Sequence, residues 1–414
     1  MLSYFLAIFL QFEDRISDVC GMKKFSADKI YTLAGDPLTS HVVITDDYGT
    51  VQAIEPLEQH DATSVLHLKG ALVPGFVNTH CHLELSHMKG LVDTGTGLIP
   101  FIDSVVKYRD FPQEQIDEAI KAADQEMYDE GIVAVGDISN KKDTASVKAS
   151  SKINYYTFVE MFDFMQSSMT EATIDQYRAV FEAHSDTDGN KKCYVPHAPY
   201  TVSEGLYEWI RNENYQEDTV SIHNQETPDE QSLFIDKTGG FLKFYEGFGF
   251  SLDKFEATGS GSIHHAMKYM NAMMKTLFVH NTMTTADDIA AAHDWNFRTY
   301  WSTCANANLY IENRLPDYQA FISQNAKMTI GTDSLTSNWQ LSVLEEIKTI
   351  MKYKSYVPFE TTLEWACKNG AEALGYEDLL GTIEVGKQPG LVHLDVSYNN
   401  EKVDVTNAKA NRII

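Results

Sequence analysis

From Ala71 onward the hydrophobic pattern switches repeatedly between two periods. Short apolar or β-branched runs, each ending in polar residues, alternate with segments whose apolar positions recur at helical spacing. The runs Leu72–Thr79, Ile132–Ile138, Ile153–Met161, Lys192–Pro196, Thr219–His223, Thr276–His280, Arg298–Thr303 and Lys327–Gly331 read as strands. Between them, Ile116–Tyr128, Ile174–His184, Ala286–Asp294 and Leu341–Tyr353 read as helices. Eight such units over roughly 280 residues match a (β/α)8 TIM barrel, which carries its active site on the loops at the carboxyl ends of the strands. The fold class predicted is therefore α/β.

The flanks read differently. Between Lys29 and Leu72, short strand-like runs (Ile30–Leu33, His41–Ile44, Val51–Ile54) are broken by Gly-Asp-Pro and Asp-Asp-Tyr-Gly turns, as in a small β-domain. Strand-like text returns after the barrel at Gly381–Lys387 and Leu391–Leu394, and is expected to rejoin the first β-region. The domains expected are an appendage at 1–21, the first part of a β-sandwich at 22–73, the barrel at 74–375 and the second part of the sandwich at 376–414. One stretch, Lys237–Gly261, is too long and glycine-rich for an ordinary connection and is expected to be a lid or an interface loop.

Composition narrows the partners. With 33 basic against 59 acidic residues, net charge -26 and no basic stripe, a nucleic-acid partner is excluded and a small-molecule substrate expected. The five cysteines (Cys20, Cys81, Cys193, Cys304, Cys367) are odd in number and lack a CxxC pair, which points to reduced thiols and a cytoplasmic location. Met1–Leu10 is apolar, yet it lacks a basic leader and a cleavage motif and is too short to span a bilayer, so no membrane role is expected.

Four strand ends carry chemistry. His80 and His82 are two apart on a strand and so face the same way, as two ligands of one metal ion would. Cys81, between them, faces the other way and reads as packing. In His223-Asn224-Gln225-Glu226 the imidazole can face the metal while the carboxylate reaches past it as a general acid/base. Alone, Glu226 would read equally well as a charge at the start of the following helix. Asp333, after Met328–Gly331, occupies a ligand position at the eighth strand; otherwise it would be an Asx turn or an N-cap before a helix at Ser337-Asn338. His280 is either a fourth imidazole ligand or a donor to the metal's water; the second is preferred, because three histidines and one aspartate already leave an open position.

Together, Pro74–His82, His223–Glu226, His280 and Gly331–Ser334 resemble the amidohydrolase superfamily, more narrowly its cytosine deaminase, chlorohydrolase and S-adenosylhomocysteine deaminase branch. The tail Gly381–Lys387 resembles that family's closing motif. The resemblance implies a distorted barrel flanked by a β-sandwich built from both termini, a homodimer, and one divalent ion, zinc or iron, held by His80, His82, His223 and Asp333. No lysine stands at the end of the fourth strand, where a binuclear relative would carry one, so a mononuclear site follows. In the implied reaction Asp333 takes a proton from the attacking water, Glu226 protonates a ring nitrogen, His280 orients the nucleophile and ammonia leaves.

Pro196–Ser203 resembles the fourth-strand motif of purine nucleoside deaminases, which makes His197 a contact to the base or its tail. His82–Ser86, with Glu84, resembles aminodeoxyfutalosine deaminases; Asn308 and Ser334 complete the substrate-side set. The expected activity is hydrolytic deamination of a heteroaromatic amine such as a 6-aminopurine nucleoside, the alternative being hydrolysis of another cyclic C–N, amide or carbon–halogen bond. Trp301–Leu309 departs from the branch, whose members carry a proline and a serine before Asn-Leu, and Gln388-Pro389-Gly390 replaces the usual Ala-Asp.

Overall fold

The computed structural model describes residues 21–399 and 402–414; the expected appendage, apart from Gly21, lies outside them. The chain divides into two compact units, one running up to Gly75 and resuming at Asp378–Ile414, the other Phe76–Glu377.

In the discontinuous unit the described residues form a six-stranded sheet in the order Ala410–Arg412, Leu391–Leu394, Leu66–Pro74, Lys23–Ile30, His41–Thr45, Val51–Pro56. The C-terminal Leu391–Leu394 pairs antiparallel with Ala71–Pro74, so both termini build one sheet. Phe25, Ile30, Val43, Val51, Leu72, Ile383 and Leu391 form its apolar core. A separate ribbon pairs Ser397–Asn399 with Lys402–Asp404.

The second unit is the barrel. Its strands, in chain order, are Phe76–Cys81, Ile132–Ser139, Asn154–Met161, Lys191–Pro196, Thr219–Asn224, Lys275–His280, Thr299–Thr303 and Lys327–Ile330. They pair in parallel as two sheets of four among the described residues. Two seams join the sheets: His223 N–H donates to His197 O at 2.9 Å, and the N–H groups of Thr332 and Asp333 donate to His80 O, both at 3.0 Å. Helices cover the strands, which explains why the strands read as continuous apolar runs rather than alternating ones. Inside, a polar belt replaces apolar packing, with Thr79 Oγ1 lying 2.7 Å from Thr329 Oγ1 and 3.0 Å from Ser302 Oγ.

The single strand expected over Leu72–Thr79 is two strands. Leu66–Pro74 belongs to the terminal sheet and Phe76–Cys81 to the barrel, with Gly75 between them. The break falls at Pro74-Gly75, a turn-marking pair inside a run whose two halves are both buried and so read as one. The helices expected within the barrel form over Gln113–Asp129, Thr170–Ala183, Ala286–Trp295 and Val343–Tyr353. The third opens on a capping box in which Thr285 and Asp288 satisfy each other's backbone N–H. The segment Lys237–Gly261 is not a plain loop, for Gly240–Gly247 is helical and buries Phe241 and Tyr245 in an apolar cluster with Leu98 and Phe101.

Candidate metal centre and substrate cavity

The strand ends bring the sequence motifs to one mouth. His82 Nε2 lies 3.1 Å from His80 Nε2 and 3.3 Å from His223 Nε2. Asp333 Oδ1 stands 3.5 Å from His82 Nε2 and 3.9 Å from His80 Nε2. Backbone geometry aims these groups, since Gln225, His280, Asn281 and Asp333 all adopt positive φ, of 46°, 72°, 59° and 57°. Non-glycine residues held there cost about 1–3 kcal/mol each and persist only where the surroundings determine them, commonly at functional sites. Gly331 admits the closing approach of the eighth strand to the first, because a Cβ on it would sit 2.8 Å from His80 Cβ and 3.0 Å from Cys304 Sγ.

Burial, followed by the neighbouring imidazoles, holds His80 and His223 well below the usual histidine range; burial also lowers His82 and His280. Three neutral imidazoles turning ring nitrogens toward one point, with a carboxylate beside them, are a donor set that fits one divalent ion and leaves a position open. The pKa directions agree with that fit, since a metal needs unprotonated imidazole. His223 is oriented by donating from Nδ1 to His197 O at 2.8 Å, which turns its Nε2 to the cluster.

Glu226 lies beside this cluster, 4% exposed, with Oε1 3.7 Å from His280 Nε2. Burial, then repulsion from Asp333 and Glu230, pushes its carboxyl well above the ordinary range. The helix that follows, Pro228–Asp236, does not use Glu226 as its N-terminal charge; Glu230 reaches back instead, accepting the N–H groups of Gln225 and Glu226, each at 2.9 Å. Nor does Asp333 cap a helix at Ser337-Asn338. The helix begins at Val343 under a Ser342 cap, and Asp333 Oδ2 instead accepts from Ser337 Oγ at 2.7 Å.

A cavity of about 200 Å³ opens onto the cluster, lined by His82, His197, His223, Glu226, His280, Asp333 and Ser334 among others. Phe101, Val105, Phe164, Phe244, Phe248 and Ile311 supply apolar wall, so the Lys237–Gly261 segment contributes two aromatic rings to it. Of the four residues expected on the substrate side, His197 and Ser334 line this cavity. Glu84 and Asn308 are not among its lining residues. Glu84 is buried and accepts the N–H groups of Asn140 and Lys141, each at 3.0 Å, while Asn308 Oδ1 lies 2.8 Å from His280 Nδ1. Burial raises the Glu84 carboxyl to about 7.

Three polar lining residues escaped sequence reasoning: Arg109, Asn140 and Glu160. Glu160 is the second-last residue of the third barrel strand, in Phe158-Val159-Glu160-Met161. A lone carboxylate at the carboxyl end of an apolar strand was the available signal. Arg109 and Asn140 lie in loop text that carries none.

The amidohydrolase family model matches residues 71–413. The chain is 25% identical over 364 residues to an adenosine deaminase of Helicobacter pylori, an alignment covering 84% of this chain and 87% of that one. Its structure resembles that of the Helicobacter pylori aminofutalosine deaminase in complex with methylthio-coformycin, with a TM-score of 0.77 at 21% identity over 95% of this chain and 100% of the other. It also resembles a Xanthomonas campestris adenosine deaminase with bound zinc, with a TM-score of 0.70 at 22% identity over 90% of this chain and 84% of that one. The chain belongs to the amidohydrolase family.

Proposed function

We propose that this protein is a mononuclear zinc-dependent aminohydrolase that converts a 6-aminopurine nucleoside and water into the 6-oxo nucleoside and ammonia. His80, His82, His223 and Asp333 would hold the ion. The observation that carries this reading is the buried Glu226 carboxyl, raised by burial, beside the imidazole cluster and facing the cavity. Amine displacement from an aromatic ring needs such a group, protonated at neutral pH and within reach of the ring nitrogen next to the reacting carbon. The Helicobacter pylori and Xanthomonas campestris deaminases support the substrate class, and the zinc in the latter supports the metal.

A bound zinc ion supplies Lewis acidity that makes water a nucleophile near neutral pH. The chain's own residues move the protons. Glu226 gives its proton to the ring nitrogen, which makes the adjacent carbon electrophilic. Asp333, held at Oδ2 by Ser337 Oγ, accepts a proton from the attacking water. His280, fixed through Nδ1 by Asn308, directs Nε2 toward the same point. Asp333 then passes its proton to the amino nitrogen, which leaves as ammonia, while Glu226 takes back a proton from the newly added hydroxyl, leaving the 6-oxo group and a protonated ring nitrogen.

A nucleoside fits better than a nucleotide. Among the described residues Arg109 is the one lysine or arginine lining the cavity, and its guanidinium lies 3.8 Å from Glu84 Oε1, so no cluster of cations awaits a phosphate. Cys81, Cys193, Cys304 and Cys367 are buried and outside any disulfide, which supports a reducing, cytoplasmic setting. Among the described residues no helix is long and apolar enough to cross a membrane.

The test is ammonia release by purified, metal-analysed protein from 6-aminopurine nucleosides, guanine, pterins and cytosine. Release from an adenine nucleoside that falls by about 100-fold or more in Glu226→Gln, with zinc retained, is expected. Silence across the panel with one zinc bound transfers the assignment to another hydrolytic bond.

A further inference from the structure

Glu160 has no part in the chemistry above, yet it lines the cavity and is 2% exposed. Its Oε2 is fixed by Asn140 Nδ2 at 3.0 Å, and the same amide also donates to Glu160 O at 3.0 Å. Its Oε1 is buried without a hydrogen-bond partner. The nearest cationic candidate is His223 Nδ1 at 3.3 Å, but that N–H is already donated to His197 O at 2.8 Å. Glu160, His197 and His223 also lie within 4.8 Å of one another. A second metal there is ruled out by the same hydrogen bond, because a ring nitrogen that carries a proton has no lone pair to give. Leaving a buried carboxyl oxygen unmatched is costly, so a held acceptor without a partner beside a cavity reads as a place kept for a ligand.

We propose that Glu160 is a specificity-determining residue whose Oε1 hydrogen-bonds a sugar hydroxyl of the bound nucleoside. This rests on the nucleoside deaminase reading. With the amino-bearing edge of the purine turned to Glu226 and the imidazoles, the ring nitrogens that remain are acceptors only and can pair with Oε1 only when it carries the proton. Hydroxyls both donate and accept, and so satisfy Oε1 in either protonation state. Phe101, Val105, Phe164, Phe244 and Ile311, elsewhere on the wall, offer a hydroxyl no side-chain partner.

The experiment compares adenosine with its 2′-deoxy and 3′-deoxy forms in the wild type and in Glu160→Gln, with kcat, KM and zinc content measured for each. One deoxy sugar is expected to lose about 10- to 100-fold in kcat/KM with the wild type, as leaving a buried carboxyl oxygen unmatched predicts. In Glu160→Gln, with zinc unchanged, that ratio shrinks to about threefold or less, mostly through KM. An undiminished sugar preference in the variant overturns the proposal, and so does loss of zinc, which would make Glu160 an orienting partner of His223. If the variant does not fold, Asn140→Ala, which releases Oε2, must weaken the same preference. If the wild type deaminates no nucleoside, the parent reading falls and Glu160 is judged by thermal shift with the same three sugars: hydroxyl-dependent stabilisation that Glu160→Gln abolishes keeps it, and none overturns it.

Discussion

His280 Nδ1 lies 2.8 Å from the side-chain oxygen of Asn308, 28 residues further along the chain. Since an amide oxygen only accepts, Nδ1 carries the proton and Nε2 turns an unprotonated face toward Glu226, 3.7 Å away. Asn308 thus acts on the imidazole, not on the substrate as its sequence context implies.

Asn308→Ala should therefore lower kcat by about 10- to 100-fold with KM and zinc content nearly unchanged, the range for losing a partner that fixes a histidine's tautomer. Asn308→Asp, which keeps an acceptor at the same place, should recover most of the loss. A change confined to KM would instead put Asn308 against the substrate. Steady-state kinetics with metal analysis separates the two.

Zinc should stabilise the fold, because its four expected ligands come from three separate stretches of chain. At a free concentration about 100 times the dissociation constant, binding to the native state alone adds about 2.7 kcal/mol. Stripping the ion with a chelator should lower the midpoint of thermal unfolding, and restored zinc should raise it again. His82→Ala, which removes an imidazole whose Nε2 lies 3.1 and 3.3 Å from those of His80 and His223, should abolish that response; an equal response in the variant would place the ion elsewhere.

The grouping of the three imidazoles was legible because each closes an apolar run, so strand counting alone sends them to one mouth. Asp333 and His280 were harder to aim, as both depend on positive-φ backbone that residue type does not announce. Glu160 also stands near the carboxyl end of an apolar strand, but no neighbouring histidine or motif sets it apart from an ordinary buried carboxylate. The change of sheet at Gly75 was marked only by Pro74-Gly75, which the apolar residues on either side outweighed. The role of Asn308 depends on a contact across 28 residues, which local sequence does not encode.

Glu346 gives a pH dependence of stability. It is fully buried, accepts from Asn306 N at 2.9 Å and from Asn338 Nδ2 at 2.8 Å, and is raised by burial to about 8. A carboxyl whose folded pKa exceeds its unfolded value holds more protons when native. Its stabilising contribution is complete below about 4.5 and is lost as pH rises toward about 8. Urea midpoints measured from pH 5 to 8 should fall, and Glu346→Gln should flatten part of that slope. An unchanged slope would show that Glu346 is ionised in the native state across this window.

Lys148 and Asp137 form a buried ion pair, with Nζ 2.5 Å from Oδ2 and side chains 3% and 0% exposed. Lys148 also donates to Ser139 Oγ at 2.9 Å and Thr157 Oγ1 at 3.1 Å. The other oxygen of Asp137 accepts Leu83 N–H at 2.8 Å, which ties the pair to the residue after His82. Removing one partner strands a buried charge, so Lys148→Met should cost about 3–5 kcal/mol in urea unfolding. Adding Asp137→Asn discharges the stranded group while leaving an oxygen for Leu83 N–H, and should restore most of that stability together with zinc content. Replacing Asp137 by leucine on the Lys148→Met background should instead restore stability but not full zinc content, because the backbone beside His82 then has no acceptor. Equal zinc content in the two double variants would limit the pair to a packing role in the second strand.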